Sequence, residues 1–166
     1  SGERMRREAH GSGCGGVKGL REQLCREMLA DWNEGRCGGG MAGADEIDPV
    51  RVGGHMANLL MVQVNGEPFD LTDRLLGGDV VNAHGANFRG RRVLESQSHT
   101  GRFSEVLHSF YKFVAEEERP YAVAGTMEYV ARGFVSVEAV YLPLSLDGKR
   151  TDRILGATVS KELPRR

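Results

Sequence analysis

Few residues of this chain stand in patterns that do chemistry. Its cysteines, Cys14, Cys25 and Cys37, crowd into the first 37 residues with no C-x-x-C pair. A structural zinc site needs four nitrogen or sulfur ligands at close spacing, and none is suggested. Reduced thiols of a cytosolic protein are the plain reading. The histidines, His10, His55, His84, His99 and His108, form no H-x-x-x-H pair and sit near no carboxylate cluster at metal spacing. No metal is expected. Neither G-x-S-x-G nor a phosphate loop occurs, and Ser104 and Ser109 lack a base at a telling spacing. GSGCGG at 11–16 matches the dinucleotide fingerprint by letter, but no strand precedes it. No catalytic residue is expected.

Glu138 is the sharper exception. It interrupts the apolar run FVSVEAVYL. Alternation puts it on one strand face with Ser136, Val140 and Leu142, and puts Val135, Val137, Ala139 and Tyr141 on the other. A buried carboxylate must be paired or neutralised. The commoner outcome is an outward-facing Glu, or one paired with Arg132. The alternative is a polar anchor, in a pocket or in a dimer face covered by the N-terminal helix.

Such residues need elements to hold them, and the chain is long enough to bury a core unaided. It has 166 residues, 22 Lys plus Arg and 23 Asp plus Glu, for a formal net charge of -1. That balance offers no field to gather nucleic acid or an anionic membrane. Arg89, Arg91 and Arg92 read as a solvated turn. No apolar run approaches the roughly 20 residues of a bilayer span, and the N-terminal stretch lacks a signal peptide's apolar centre. A cytoplasmic protein is expected.

Residues 1–16 read as a flexible tail. Residues 17–34 read as an amphipathic helix, with Val17, Leu20, Leu24, Met28 and Trp32 at steps of 3 or 4. A Gly-rich linker follows at 35–44, and the main domain spans 45–160 before a short tail at 161–166. ANLLMVQVN, an Asn65-Gly66 turn and EPFDLTDRLLG read as a hairpin, the second strand alternating Phe69, Leu71, Asp73, Leu75. Residues 78–98 suit short helical turns, 102–117 a long helix stopped by Pro120, and 121–130 a third strand. Asp147-Gly148 between apolar runs predicts a closing hairpin over 134–157. The helix stripe fits equally its own domain or a partner. Two strands, a helical crossover and three strands make an α+β fold: a five-stranded antiparallel sheet with helices on one face.

That order, with several local wordings, resembles the PAS domain family, in particular a bacterial branch of short stand-alone members with an N-terminal helix. The wordings are IDPVR at 47–51, LLGGDVVNAHG at 75–85, F-R-G-R-x-V-x-E at 88–95, EEERPY before a strand, and VEAVYLPLSLDG with D-R-ILGA at 152–157. The chain departs from the branch in carrying Asp70 and Asp73 where aromatic and basic residues alternate, His84 for an aromatic and Asn87 for Asp.

The resemblance implies a sensory or regulatory module in signal transduction, working by small-ligand binding, dimerisation or protein contact and not by catalysis. A ligand-free adaptor of the same fold, or a small α+β enzyme, are the alternatives. The implied ligand-binding residues are His84, Asn87, Tyr129 and Tyr141, with Glu138 as a further polar anchor. The cofactor is left unknown. Flavin photo-adduct chemistry is excluded because 45–166 holds no cysteine. Haem at His108 is disfavoured, since helical rotation turns that residue away from the Phe103, Leu107, Phe110, Val114 stripe. The implied partners are a second copy, docking through helix 17–34, and another signalling protein.

Overall fold

In the computed structural model, residues 6–7, 19–36, 40–43, 49–84, 87, 89–95, 103–127 and 132–164 are described. Apolar alternation and turn chemistry yield the expected strands: β2 (Leu59–Asn65), β3 (Asp70–Leu76), β4 (Tyr121–Met127), β5 (Arg132–Leu144) and β6 (Arg153–Glu162). All pair antiparallel, in the spatial order β4-β5-β6-β2-β3. One further strand, β1 (Arg6–Arg7), lies outside β4, with Arg6 opposite Ala124 and Arg7 opposite Val123. These two residues belong to the expected tail and are instead paired.

Helices cover both faces of the sheet. On one face, α3 (Gly78–His84) and α4 (Phe103–Glu117) bury Val80, Phe110, Tyr111 and Val114 against Leu60, Val62, Leu71, Tyr121, Val123 and Ile154. On the other face, α1 (Gln23–Gly35) buries Leu24, Cys25, Met28, Leu29 and Trp32 against Val140, Leu142, Leu144, Leu155 and Ala157. The short α2 (Pro49–Gly54) contributes Val52 to that second core. The helix stripe thus lies on the chain's own sheet. A contact between copies through that stripe requires the helix to leave its seat.

Three local expectations change. The first hairpin turns over Gly66–Phe69 and not over Asn-Gly alone, because Asn65 pairs with Asp70. The closing hairpin pairs Leu144 with Arg153, so its turn spans residues 145–152. Asp147 organises that longer turn. Its Oδ1 accepts from the Lys149 amide at 2.8 Å, the Arg150 amide at 3.2 Å and the Ser145 hydroxyl at 3.0 Å. These bonds, led by the Lys149 amide, hold the Asp147 carboxyl below its ordinary range. Third, α1 begins at Gln23, so Leu20 lies outside it.

Candidate functional site

The late start of α1 has a cause on the sheet. Glu22 is the N-cap residue in extended backbone, and no side chain of the helix itself caps the exposed amides. From β5, Glu138 instead holds the two amides just ahead of the helix. Its Oε1 accepts from the Arg21 amide and its Oε2 from the Glu22 amide, each at 2.7 Å. A carboxylate placed there also meets the positive end of the helix dipole. The Lys161 ammonium lies 2.7 Å from the Glu22 carboxylate and ties the same strap to β6. One turn on, the Cys25 thiol approaches the carbonyls of Glu138 and Ala157 at 3.8 and 3.6 Å. Burial, with Glu138 and Glu22 nearby, pushes that thiol up to about 12. Trp32 closes the far end, its indole N–H donating to the Pro143 carbonyl at 2.7 Å. Helix and sheet are therefore joined by polar contacts at both ends and by apolar packing between. Glu138 is half-buried and paired with backbone, which replaces the expected outward-facing or Arg132-paired carboxylate.

Beside the strap runs a groove of about 480 Å³. Residues Gly19–Glu22 line one side, with Ala122–Gly125 of β4, Ser136–Glu138 of β5, Val159 and Lys161 completing it. A smaller hollow of about 280 Å³ lies between the first hairpin and α4, lined in part by Phe69, Ala115, Arg150 and Thr151.

The α3/α4 face, where a ligand was expected, is packed with rings. Tyr141 stands edge-on to Phe110 at 4.9 Å and to Tyr111 at 5.8 Å, and Phe113 tilts against Tyr121 at 4.9 Å. Tyr141 thus serves the core. Asn87 is exposed, and its Oδ1 accepts from the Arg89 amide at 3.0 Å, a local turn contact. His84 ends α3, and Tyr129 lies outside the described residues. Glu138 is on the opposite face. Of the expected ligand residues, the three whose side chains are described, Asn87, Tyr141 and Glu138, lie apart from one another. His108 is half-buried, not solvent-facing, with its ring edge-on to Phe69 at 5.7 Å.

A residue outside that set stands out on the ring-packed face. Asp73 is 4% exposed beside Val62, its cross-strand partner. Between the pairs Met61–Leu75 and Val62–Asp73 the register slips by one residue, so Arg74 is bulged out. The bulge lets Leu71, Asp73 and Leu76 all share the α4 side. The outer edge of β3 is closed by the following loop, with the Asp73 amide donating to the Arg91 carbonyl at 3.0 Å. Among the described residues nothing hydrogen-bonds the Asp73 carboxyl. Burial alone raises it to about 7. Its signal was present in the sequence: an Asp in the apolar register Phe69, Leu71, Asp73, Leu75.

Neither the curated proteins nor the solved structures contain a match to this chain. A family profile described as PAS domain matches residues 20–159. The matched span begins in the strap that Glu138 holds and ends on β6, so it takes in both helix layers and the five main strands. Sheet order, helical crossover and profile agree: the chain belongs to the PAS domain family, whose members are sensory and regulatory modules of signal transduction.

Proposed function

We propose that this chain is a non-catalytic sensory module that passes a packing change on its α4 side to another protein through helix α1. One observation carries the reading. Strand β5 is common to both layers, because its successive residues point to opposite faces. Tyr141 packs with Phe110 and Tyr111 on the α4 side, while its neighbours Val140 and Leu142 lie under α1. A close-packed interior transmits such displacements. A change of packing at the ring cluster would shift Tyr141, and with it the seat of the helix.

The absence of catalysis in this reading rests on how the reactive groups are used. Both oxygens of Glu138 hold backbone amides, and Cys25 is a buried thiol raised to about 12. No helix among the described residues is long and apolar enough to cross a membrane. The proposed working compartment is the cytoplasm, where Cys25 remains a free thiol.

The test is amide hydrogen exchange on the full chain carrying Tyr141→Leu. Residues 23–35 are expected to exchange faster than in the wild type, although position 141 faces away from them. Unchanged exchange in α1, in a variant whose circular dichroism shows it folded, refutes the relay.

A further inference from the structure

Strand β3 ends the sheet on the side away from β4, and its outer edge is covered by the chain itself. At Asp73 both backbone groups point to that edge. The amide donates to the Arg91 carbonyl at 3.0 Å, and the carbonyl accepts from the Gly90 amide at 2.6 Å. The Arg89 guanidinium donates to the Arg74 carbonyl at 3.3 Å, and Thr72 bridges to Arg92. Gly90 turns this segment back at a φ of 82°, and all four of its residues are exposed. Residues 89–92 thus lie along β3 as a flap hung mainly on one residue. The side chain of that residue points inward, in a row with Val62 and Ile154, both 0% exposed.

We propose that residues 89–92 are a pH-gated flap, closed over the β3 edge while Asp73 is protonated and lifted when Asp73 ionises. A carboxylate gains water by rolling outward at the neighbouring bulge of Arg74, and that motion breaks both backbone bonds to the flap. Among the described residues no charge offsets the ionised form. On β3, Asp70 is engaged by Arg92, which also reaches Glu95. Arg89 is turned to the Arg74 carbonyl, Arg74 to Gln63, and Arg91 is exposed. From α4, His108 and Lys112 face Phe69. In α3, Asp79 is exposed and His84 forms the end. Strands β2 and β6 bring the apolar Val62 and Ile154. Burial is the influence that remains, and ionisation at about 7 sets the working range. The lifted fraction therefore rises as pH climbs from about 4 to about 7 and levels off above. The inference stands without the relay through α1, since it needs only the β3 edge to open.

The test is amide hydrogen exchange on the full chain, read as protection factors so that the intrinsic pH dependence of exchange cancels. Protection of the Asp73 and Gly90 amides is expected to fall about tenfold or more between pH 5.5 and pH 7.5. In a folded Asp73→Asn variant it is expected to stay within about twofold. Unchanged protection in the wild type, or the same fall in the Asn variant, overturns the proposal. So does protection equal to that of the central β5 and β6 amides, because the segment would then open only with the whole domain. Trypsin supplies a second measure that needs no substitution. Cleavage after Arg91, relative to cleavage of the free peptide ANFRGRRVLE, is expected to rise about tenfold over the same range, and no rise refutes the flap.

Discussion

Replacing Glu138 with Gln tests the clamp with the smallest change in shape. The carboxylate accepts two backbone amides at 2.7 Å, one on each oxygen. A hydrogen bond to a charged group contributes about 1.5–3 kcal/mol, so the pair could reach about 3–6 kcal/mol if fully buried. The site is half-exposed, however, and water can reach the freed amides. Loss of an N-cap costs about 0.5–2 kcal/mol. Together these bound the cost of Glu138→Gln at about 2 kcal/mol. Gln also sets an NH₂ group against one of the two N–H donors, so it rescues little over Ala. A loss of about 2 kcal/mol lowers the Tm of a domain this size by roughly 4–8 °C. The assay is urea unfolding followed by Trp32, the chain's single tryptophan, which α1 buries fully against the sheet. Hydrogen exchange would localise the loss to residues 20–26. A Gln variant within 0.5 kcal/mol of wild type would falsify the clamp, as would a loss spread evenly over the sheet.

Two further outcomes follow from buried groups. Asp73 holds its proton up to about 7, whereas in the unfolded chain it ionises near 3.8. The folded state binds more protons, so its stability falls as pH rises from about 4 to about 7 and falls no further above that. At ~1.4 kcal/mol per pH unit the gap is on the order of 4 kcal/mol. Denaturation midpoints at pH 5 and pH 8 should differ more in wild type than in Asp73→Asn, and equal differences would remove Asp73 as the cause. Cys25 should resist iodoacetamide at pH 8 in a folded C14S/C37S background and react once unfolded. Fast labelling of the native protein would show that the thiol is neither buried nor raised.

The strands and long helices were legible because their apolar periods are clean. Phe110 and Val114 on α4, and Leu24, Met28 and Trp32 on α1, fall inward as their spacing requires. Turns were less legible. An Asp-Gly pair announces a reversal but not its length, and here the Asp147 side chain organises a turn of 145–152. The site was least legible. Glu138 was visible as an anomaly, but its partners are backbone amides more than a hundred residues away, and amides carry no sequence signature. Tyr141 was read as a ligand contact because a tyrosine on the inner face suits either role. Only the positions of Phe110 and Tyr111 assign it to the core. Asp73 broke its apolar register plainly, and the bulge at Arg74 that turns it inward is a property of strand pairing.

The seat of α1 also sets the order in which the protein can be assembled. The helix precedes its docking surface by a long stretch of chain: Trp32 bonds Pro143 across 111 residues, and Cys25 reaches Ala157 across 132. During synthesis, at roughly 5–20 residues per second, the helix waits several seconds with its apolar stripe uncovered. Contacts of such sequence separation also form late in refolding. Nascent chains are thus exposed to chaperones and to one another through this stripe until the closing hairpin has emerged. Substitutions that weaken the β5–β6 hairpin should therefore lower the yield of soluble protein more than they lower its final stability.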